Sequence, residues 1–339
     1  MTTLPTYTRT LDDDFVSTWY EIRDEAIDNI LDATNVWNVL MGSGSFTVQV
    51  GGEIITRTIT HGTASAKAVA KGDTFTSEEP EIDTMALWQW KYMGTSLQRS
   101  IIDDQKNSGP SRIKDYVGRR LTAARDALEQ TYETDILATF ASAHESNKAI
   151  QGLNVMVPLI GDRSTGNYGN IARPTGYTSG GVEVPNAGNT WWGSKYLNGT
   201  LANIDVDLLD DLKQLYNSLH NNQVAPNLIL TTQSIYEIYE TFAIDISQII
   251  KDETTRLADL GFEVLRFKGK PLMWSGNMTA DEVLMLNMDF VEVVYDPNLW
   301  FDMTDWKPIP FEMGRVAQIL CAANLITTQP RRHGRIDYS

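Results

Sequence analysis

The sequence predicts an α+β fold, because helical and strand periodicities both occur along the chain. Apolar residues from Ile113 to Phe140 recur at spacings of three and four, which predicts one helix of about thirty residues that begins at Pro110 and spans roughly 45 Å. Later, short apolar runs rich in β-branched residues predict strands, for example NLILTT at 227–232. With 339 residues, 42% of them hydrophobic, the chain can bury a large core.

Composition limits the classes of function. The formal net charge at pH 7 is −16, whereas duplex DNA is held by clustered Lys and Arg, so DNA binding is not expected to be the main task. Cys321 is the only cysteine, which rules out an intrachain disulfide and fits synthesis in a reducing cytosol. We expect no signal peptide and no membrane span, because residues 1–9 lack the signal pattern and no apolar stretch reaches about 18 residues.

The N-terminal segment predicts an acidic amphipathic helix. Leu11, Phe15 and Trp19 begin an apolar repeat, and residues 11–32 hold eight Asp or Glu against one base, Arg23. Two interpretations of the acidic residues are open. In the first, they interact favourably with the helix dipole and form a solvated face. In the second, the segment is an arm that lies on another subunit.

Residues 45–84 predict a long β-hairpin. The stretch 46–60 is rich in β-branched residues, and Gly51-Gly52 between its two runs predicts a tight turn. The small and polar residues 61–84 have little to bury, so we expect an extended tip that is disordered or used for contact. After it, Trp88, Trp90 and Tyr92 alternate with polar residues and are predicted on one face of a strand.

Helices and strands alternate after a loop-rich region at 151–199. The spacing of Leu208, Leu212, Leu215 and Leu219 predicts a helix that begins near Asp205. Further elements are predicted from their patterns: a helix at 233–243, two strands around Gly269 within 262–275, two strands within 282–296, and long strand structure in the closing residues 311–339.

The sequence contains no nucleophile elbow, phosphate loop or dinucleotide-binding glycine motif. A metal site would have to be composite, since the possible ligands are scattered: His61, His144, His220, His333 and Cys321. Nine tryptophans in an acidic chain also fit a carbohydrate-active enzyme with Trp191-Trp192 as a sugar platform, although no carboxylate pair stands out. The alternative for this Trp pair is packing in a core or interface. We therefore predict a non-enzymatic protein without a cofactor.

Four stretches carry a family resemblance. Gly169, Ile171 and Arg173 precede Trp191 and Trp192 within 160–196, and three more stretches follow: APNLILTTQSIYEIYETF, GFEVLRFKGKPLMWSG and RVAQILCAANLITTQPRRHGRI. In this order, together with the acidic segment, hairpin and long helix, they resemble the major capsid proteins of tailed phages, the Hong Kong 97 type. The resemblance runs from residue 10 to the end, with a longer insertion before the Trp pair than that family shows.

The resemblance implies a Hong Kong 97-like fold with four parts: residues 1–44 as N-arm, 45–84 as extended loop, 85–160 with 283–339 as peripheral domain containing the long spine helix, and 161–282 as axial domain. It implies self-assembly into the hexamers and pentamers of an icosahedral bacteriophage capsid. Implied partners are other copies, a portal, a possible scaffold and decoration proteins, and double-stranded DNA enclosed without sequence-specific binding. The implied location is the virion, after synthesis in the bacterial host cytoplasm.

Contacts between subunits are predicted from complementary charge. The acidic residues are Asp12, Asp13, Asp14, Asp24 and Asp28, and the basic residues are Arg331, Arg332 and Arg335. The alternative is a basic tail that is solvated or paired within its own chain. Lys67 and Lys71 lie where some family members form a cross-link, but the sequence shows no matching pattern. An encapsulin-type shell is the rival with the same fold, and a carbohydrate-active enzyme is the rival of another class.

Overall fold

The computed structural model describes residues 35–43, 45–63, 66, 68–73, 81–100, 102, 116–140, 148–221, 224–249, 265–278 and 281–338. These residues divide into two units. The first lies within Gly94–Gln130 and Phe301–Leu320, and the second within Thr34–Met93, Thr131–Trp300 and Cys321–Ser339. None of the described helices is long and apolar enough to cross a membrane.

Three of the described helices lie at the predicted places, and the two short ones, at residues 35–42 and 153–156, were not predicted. Their bounds are α1 Asn35–Gly42, α2 Tyr116–Leu137, α3 Leu153–Met156, α4 Ile204–Leu219 and α5 Gln233–Ile249. The predicted spine helix is α2. It ends at Leu137, three residues before the predicted end, and its predicted start at Pro110 lies outside the described residues.

The strands are numbered in chain order. Their bounds are β1 Phe46–Val48, β2 Ile54–Thr60, β3 Asp83–Gln89, β4 Lys91–Ser100, β5 Asn167–Tyr168, β6 Ile171–Ala172, β7 Gly176–Tyr177, β8 Val182–Glu183, β9 Pro185–Ala187, β10 Lys195–Asn198, β11 Leu228–Thr231, β12 Arg266–Phe267, β13 Lys270–Trp274, β14 Glu282–Leu286, β15 Val291–Tyr295, β16 Asp302–Met303, β17 Lys307–Pro308, β18 Gly314–Thr327 and β19 Gly334–Asp337.

A seven-stranded mixed sheet, in the order β12-β13-β11-β14-β19-β10-β8, forms the centre of the second unit. Helices α4 and α5 contact this sheet. The predicted inner face of α4 is confirmed, because Leu208, Leu212, Leu215 and Leu219 are buried in a core that also contains Ile336 of β19. The predicted domain boundary at residue 282 passes through this sheet, since β14 and β19 pair beside β10 and β11.

The second unit also contains the β1–β15 ladder. Strand β1 runs parallel to β15, and β15 runs antiparallel to residues 323–327 of β18. In the first unit, β16 and β17 pair antiparallel with residues 315–320 of β18. The long predicted closing strand is therefore confirmed. Its N-terminal part pairs with β16 and β17, and its C-terminal part pairs with β15.

The predicted tight turn at Gly51-Gly52 is wrong. Strands β1 and β2 flank it but do not pair with each other, because β1 takes β15 as its partner. The long hairpin itself exists: β2 pairs antiparallel with β3 over seven residue pairs, from Ile54↔Gln89 to Thr60↔Asp83. Part of its predicted tip, including residues 74–80, lies outside the described residues.

The predicted alternation after the hairpin holds only in part. Trp88 and Trp90 are buried, but Tyr92 is 66% exposed and its neighbour Lys91 is buried. The buried side of the chain changes between Trp90 and Tyr92 because Trp90 lies between β3 and β4 and interrupts the strand. One continuous strand would have kept all three aromatic side chains on the same side.

Candidate functional site

The three C-terminal arginines lie in two different environments. A 3₁₀ turn at Pro330–Arg332 begins with proline, whose fixed φ suits that position, and it directly precedes β19. Arg331 on this turn is exposed and Arg332 is half-buried, whereas Arg335 in β19 is 0% exposed. The predicted basic group is therefore divided between the surface and the core.

Arg335 is satisfied within its own chain. It forms an ion pair with buried Glu282, donates from Nη1 to the Val157 carbonyl at 2.8 Å, and donates from Nη2 to Asn154 Oδ1. Glu282 lies opposite Asp337 in the β14–β19 register, so two carboxylates share this face with one arginine. The prediction that Arg335 contacts another subunit is wrong, because a fully buried guanidinium cannot reach a neighbour.

His333 adds no positive charge to this region at neutral pH. It is fully buried, and its Nδ1 accepts a hydrogen bond from the Asn287 backbone N–H at 3.2 Å. Its Nε2 lies 2.9 Å from the hydroxyl of Thr327. Burial lowers the pKa of His333 to about 3, so the neutral imidazole is the stable form.

Lys195 joins Arg331 and Arg332 in a group that we call the cationic cluster. Burial, followed by the charge of Arg331, lowers the pKa of Arg332, and burial, followed by the charge of Arg332, lowers the pKa of Lys195. Within the part of the chain that the structure describes, no carboxylate forms an ion pair with any of the three. Sequence reasoning missed Lys195, which reaches the cluster only because β10 pairs with β19.

A cleft of about 250 Å³ shares Arg331 with the cationic cluster. Its walls are residues 58–61 at the base of the hairpin, the Trp191-Trp192 pair, Thr328 and Gln329. The imidazole of His61 stacks on the indole of Trp191, with ring centroids 4.2 Å apart and planes 8° apart. The cleft is therefore aromatic and hydroxyl-lined, with one arginine at its wall.

The two tryptophans differ in role. Trp192 is 1% exposed and donates from Nε1 to the Tyr168 carbonyl at 2.9 Å, so the packing interpretation holds for it. Trp191 is half-buried and has one face covered by His61. A sugar platform at this pair would have only the remaining surface of Trp191.

The Gly-x-Ile-x-Arg stretch serves the fold. Gly169 has φ +57°, and an added Cβ would come within 2.8 Å of the Trp88 ring, so only glycine fits. Arg173 is buried, donates to the Val155 carbonyl, and lies 5.5 Å from the ring centroid of Tyr168. These contacts attach the stretch to the base of the hairpin. The side chains named here are therefore used in packing and hydrogen bonding within the fold.

The hairpin carries exposed apolar side chains. Val69 is 46% exposed, Ile82 40% and Met85 58%. Lys71, one of the two predicted contact lysines, is exposed, and Lys67 lies outside the described residues. These side chains would be available to contact another protein.

The predicted acidic contact residues Asp12, Asp13, Asp14, Asp24 and Asp28 also lie outside the described residues.

Helix α1, which begins at residue 35, is held at its first turn by a residue that sequence reasoning missed. Buried Glu133 of α2 accepts backbone N–H groups of Val36 at 3.2 Å and Trp37 at 2.7 Å. The Trp37 ring stacks on Tyr132, with centroids 5.0 Å apart. A glutamate beside Tyr132 on the apolar side of the predicted helix was the available signal.

The carboxylates of helix α4 lie on its exposed face or contact Tyr338. Asp205, Asp207 and Asp210 are exposed on α4, while Asp211 accepts a hydrogen bond from the Tyr338 hydroxyl at 3.1 Å. Burial raises the pKa of Asp211, and that hydrogen bond partly offsets the effect. Among the described residues, no three His, Cys, Asp or Glu side chains are close enough together to hold a metal ion.

Comparison with known proteins gives structural matches only. No protein-family model and no curated protein matches the sequence. A capsid chain of cyanophage A-1(L) matches with a TM-score of 0.67 and 15% identity, over 93% of this chain and 95% of that one. The capsid of the native GTA particle matches with a TM-score of 0.55 and 10% identity, over 93% and 94%.

An encapsulin also matches. The SrpI encapsulin of Synechococcus elongatus PCC 7942 has a TM-score of 0.53 and 12% identity, with 98% of this chain and 96% of that chain covered. The predicted α+β, Hong Kong 97-like capsid fold is therefore confirmed. At these identities the likeness concerns the fold.

Proposed function

We propose that this protein is the major capsid protein of a tailed double-stranded DNA bacteriophage and that it self-assembles into hexamers and pentamers of an icosahedral shell. The observation that carries the proposal is the match to capsid chains over nearly the full length of both partners. The match covers 93% of this chain in both cases. It leaves little of the chain for a separate catalytic domain.

The surface chemistry supports an assembling protein. Large apolar side chains are exposed on the hairpin and on the β17–β18 turn, where Phe311 is 107% and Met313 73% exposed. A monomer gains no stability from apolar groups that stay in water. Burial of these groups between copies would contribute to the cohesion of a shell.

The parts of the chain receive roles under this proposal. Residues 1–44 act as N-arm, 45–84 as extended loop, 85–160 with 283–339 as peripheral domain, and 161–282 as axial domain. The partners are other copies and a portal, and assembly proceeds either with or without a separate scaffold and decoration proteins. The shell encloses DNA without reading its sequence, which suits a chain with a net charge of −16. It is made in the host cytoplasm and resides in the virion.

Electron microscopy of the purified full-length protein tests the proposal. We expect closed shells or ring-shaped capsomers, and particles from infected cells that contain nuclease-protected DNA. A matched variant, Met85→Asp, places a charge on the exposed hairpin face and should reduce shell yield while leaving the circular dichroism spectrum unchanged. A protein that stays monomeric at all concentrations and salt conditions contradicts the proposal.

The second candidate is an encapsulin-type nanocompartment, which the match to SrpI favours. Shells of this kind would hold protein cargo. Mass spectrometry and absorbance spectra of purified particles separate the two candidates. A stoichiometric cargo protein without DNA supports the nanocompartment, and DNA without cargo supports the capsid.

A further inference from the structure

The cleft and the cationic cluster share Arg331, which lines the cleft and lies beside Arg332 in the chain. The cleft offers aromatic rings and threonine hydroxyls, which suit a peptide chain that carries both apolar and polar side chains. Its volume of about 250 Å³ is slightly below the usual range of ligand pockets and admits a few side chains. Such a surface fits a peptide segment better than a rigid nucleic-acid duplex.

The positive charge of the cationic cluster indicates which kind of peptide segment would bind the cleft. Three cationic side chains interact unfavourably with one another, and the described residues provide no carboxylate partner for them. Arginine pairs with carboxylate through two parallel hydrogen bonds when the partner arrives in its plane. The missing complement is therefore a peptide rich in Asp or Glu.

One stretch of this chain has that composition. Residues 11–32 carry eight acidic side chains and one base, and Phe15, Trp19 and Tyr20 lie among them. We infer that the cleft and the cationic cluster bind the acidic segment 11–32 of a second copy of this chain. This inference rests on the proposed function, since copies of a shell protein lie side by side.

Two charge-reversed full-length variants test the inference. The first replaces Arg331→Glu and Arg332→Glu, and the second replaces Asp12→Lys, Asp13→Lys and Asp14→Lys. We expect the critical concentration for assembly to rise about tenfold or more for either variant alone, since two or more ion pairs are lost in each. A control with the same charge change as the first variant, Lys148→Glu with Lys213→Glu, alters exposed lysines outside the cleft and outside the exposed apolar stretches, and should assemble like the wild type.

Mixing the two variants distinguishes contact between copies from contact within one chain. In a mixture, each altered segment meets an altered cleft on the other variant, and each unaltered segment meets an unaltered cleft. An equimolar mixture should therefore assemble at nearly the wild-type critical concentration. If only the combination of all five substitutions in one chain restores assembly, the segment binds its own cleft and the inference is overturned.

A binding measurement separates failure of the inference from failure of the proposed function. A fluorescent peptide of residues 9–34 is titrated with the unassembled protein, and anisotropy is followed at two salt concentrations. We expect saturable binding that weakens with salt and that Arg331→Gln, a single mild change, reduces at least threefold. Absence of binding overturns the inference even when shells form. Complete displacement of the peptide by an equal charge of short duplex DNA would assign the surface to nucleic acid instead.

Discussion

In the buried group of Arg335, Glu282 and Asp337, we predict that replacing the arginine costs more stability than replacing the glutamate. One arginine and two carboxylates lie on the same face of the β14–β19 pair, and each side chain is at most 5% exposed. Replacing Arg335 with Met leaves Glu282 without its cation on a face that also holds Asp337. Replacing Glu282 with Gln leaves one carboxylate, Asp337, with the arginine.

The magnitude follows from the charges that stay buried. Removing one partner of a buried ion pair costs about 3–5 kcal/mol, because the remaining charge is uncompensated. We expect Arg335→Met to destabilise the protein by about 4 kcal/mol at pH 8, near the middle of that range. Glu282→Gln retains a hydrogen-bond acceptor and a balanced pair, so its expected cost is about 1–2 kcal/mol.

The Arg335→Met variant should also respond to pH in a defined direction. Burial already raises the pKa of Glu282 above its usual value, and Arg335 partly offsets that shift. Without the arginine the folded-state pKa rises further above the unfolded-state value. Stability is then greatest below the unfolded-state pKa and falls as the pH rises through the folded-state pKa. The cost of Arg335→Met should thus be smaller at pH 5 than at pH 8.

Urea unfolding of the unassembled protein, followed by circular dichroism, measures both effects. The free energies of unfolding are compared at pH 5 and pH 8 for the wild type and the two variants, with attention to whether the dependence on urea concentration stays constant. Equal costs for the two substitutions would refute the charge argument. So would an Arg335→Met variant that is less stable at pH 5 than at pH 8 relative to the wild type.

Three further predictions concern single residues. His333 has a folded-state pKa of about 3, below its ordinary 6.5. The stability of the protein should therefore fall as the pH drops from 6.5 toward 3, by up to about 1.4 kcal/mol per pH unit. His333→Gln should remove that pH dependence of the free energy of unfolding, measured with urea. Glu133→Gln should weaken the two hydrogen bonds to the first turn of α1 and raise amide hydrogen exchange there about tenfold, while unchanged exchange would contradict the role given to the carboxylate. Phe311 has φ +67°, so Phe311→Gly should stabilise the subunit by about 1 kcal/mol and lower shell yield, whereas Glu312→Gly next to it should bring no such gain in thermal unfolding.

The local sequence pattern was sufficient to predict elements that bury one face of regular periodicity. Helix α4 shows this, because its four leucines at spacings of three and four face a single core. It was insufficient for strand pairing. The Gly51-Gly52 turn suggested that its flanking strands pair, but Phe46 of β1 lies opposite Val293, far along the chain. Which strand becomes the partner depends on long-range packing that neighbouring residues do not encode.

The arginine group shows the same limit at the level of a site. The sequence revealed three arginines within residues 331–335, but not that two would lie on a 3₁₀ turn and the third in the buried strand β19. A signal was present in the opposite strand, since Glu282 begins the otherwise apolar run of β14, and all five of that strand's residues are buried. A carboxylate in a fully buried strand requires a partner. Reading β14 and β19 together would have assigned Arg335 to the core.

The distribution of exposed apolar side chains connects the fold with assembly. In the central sheet the pairing strands β11, β14 and β19 are entirely buried. Of the fourteen large apolar residues that are exposed in the described chain, ten lie in two stretches: Val48, Val50, Ile54, Val69, Ile82 and Met85 in the first, and Met303, Phe311, Met313 and Leu320 in the second. The other four are Tyr92, Ile102, Leu201 and Val206. Since the core is complete without them, selection for monomer stability does not explain their apolar character. Under the proposed function, contact with a neighbouring copy would explain it, with cohesion from these two stretches and register from the charges of the cleft.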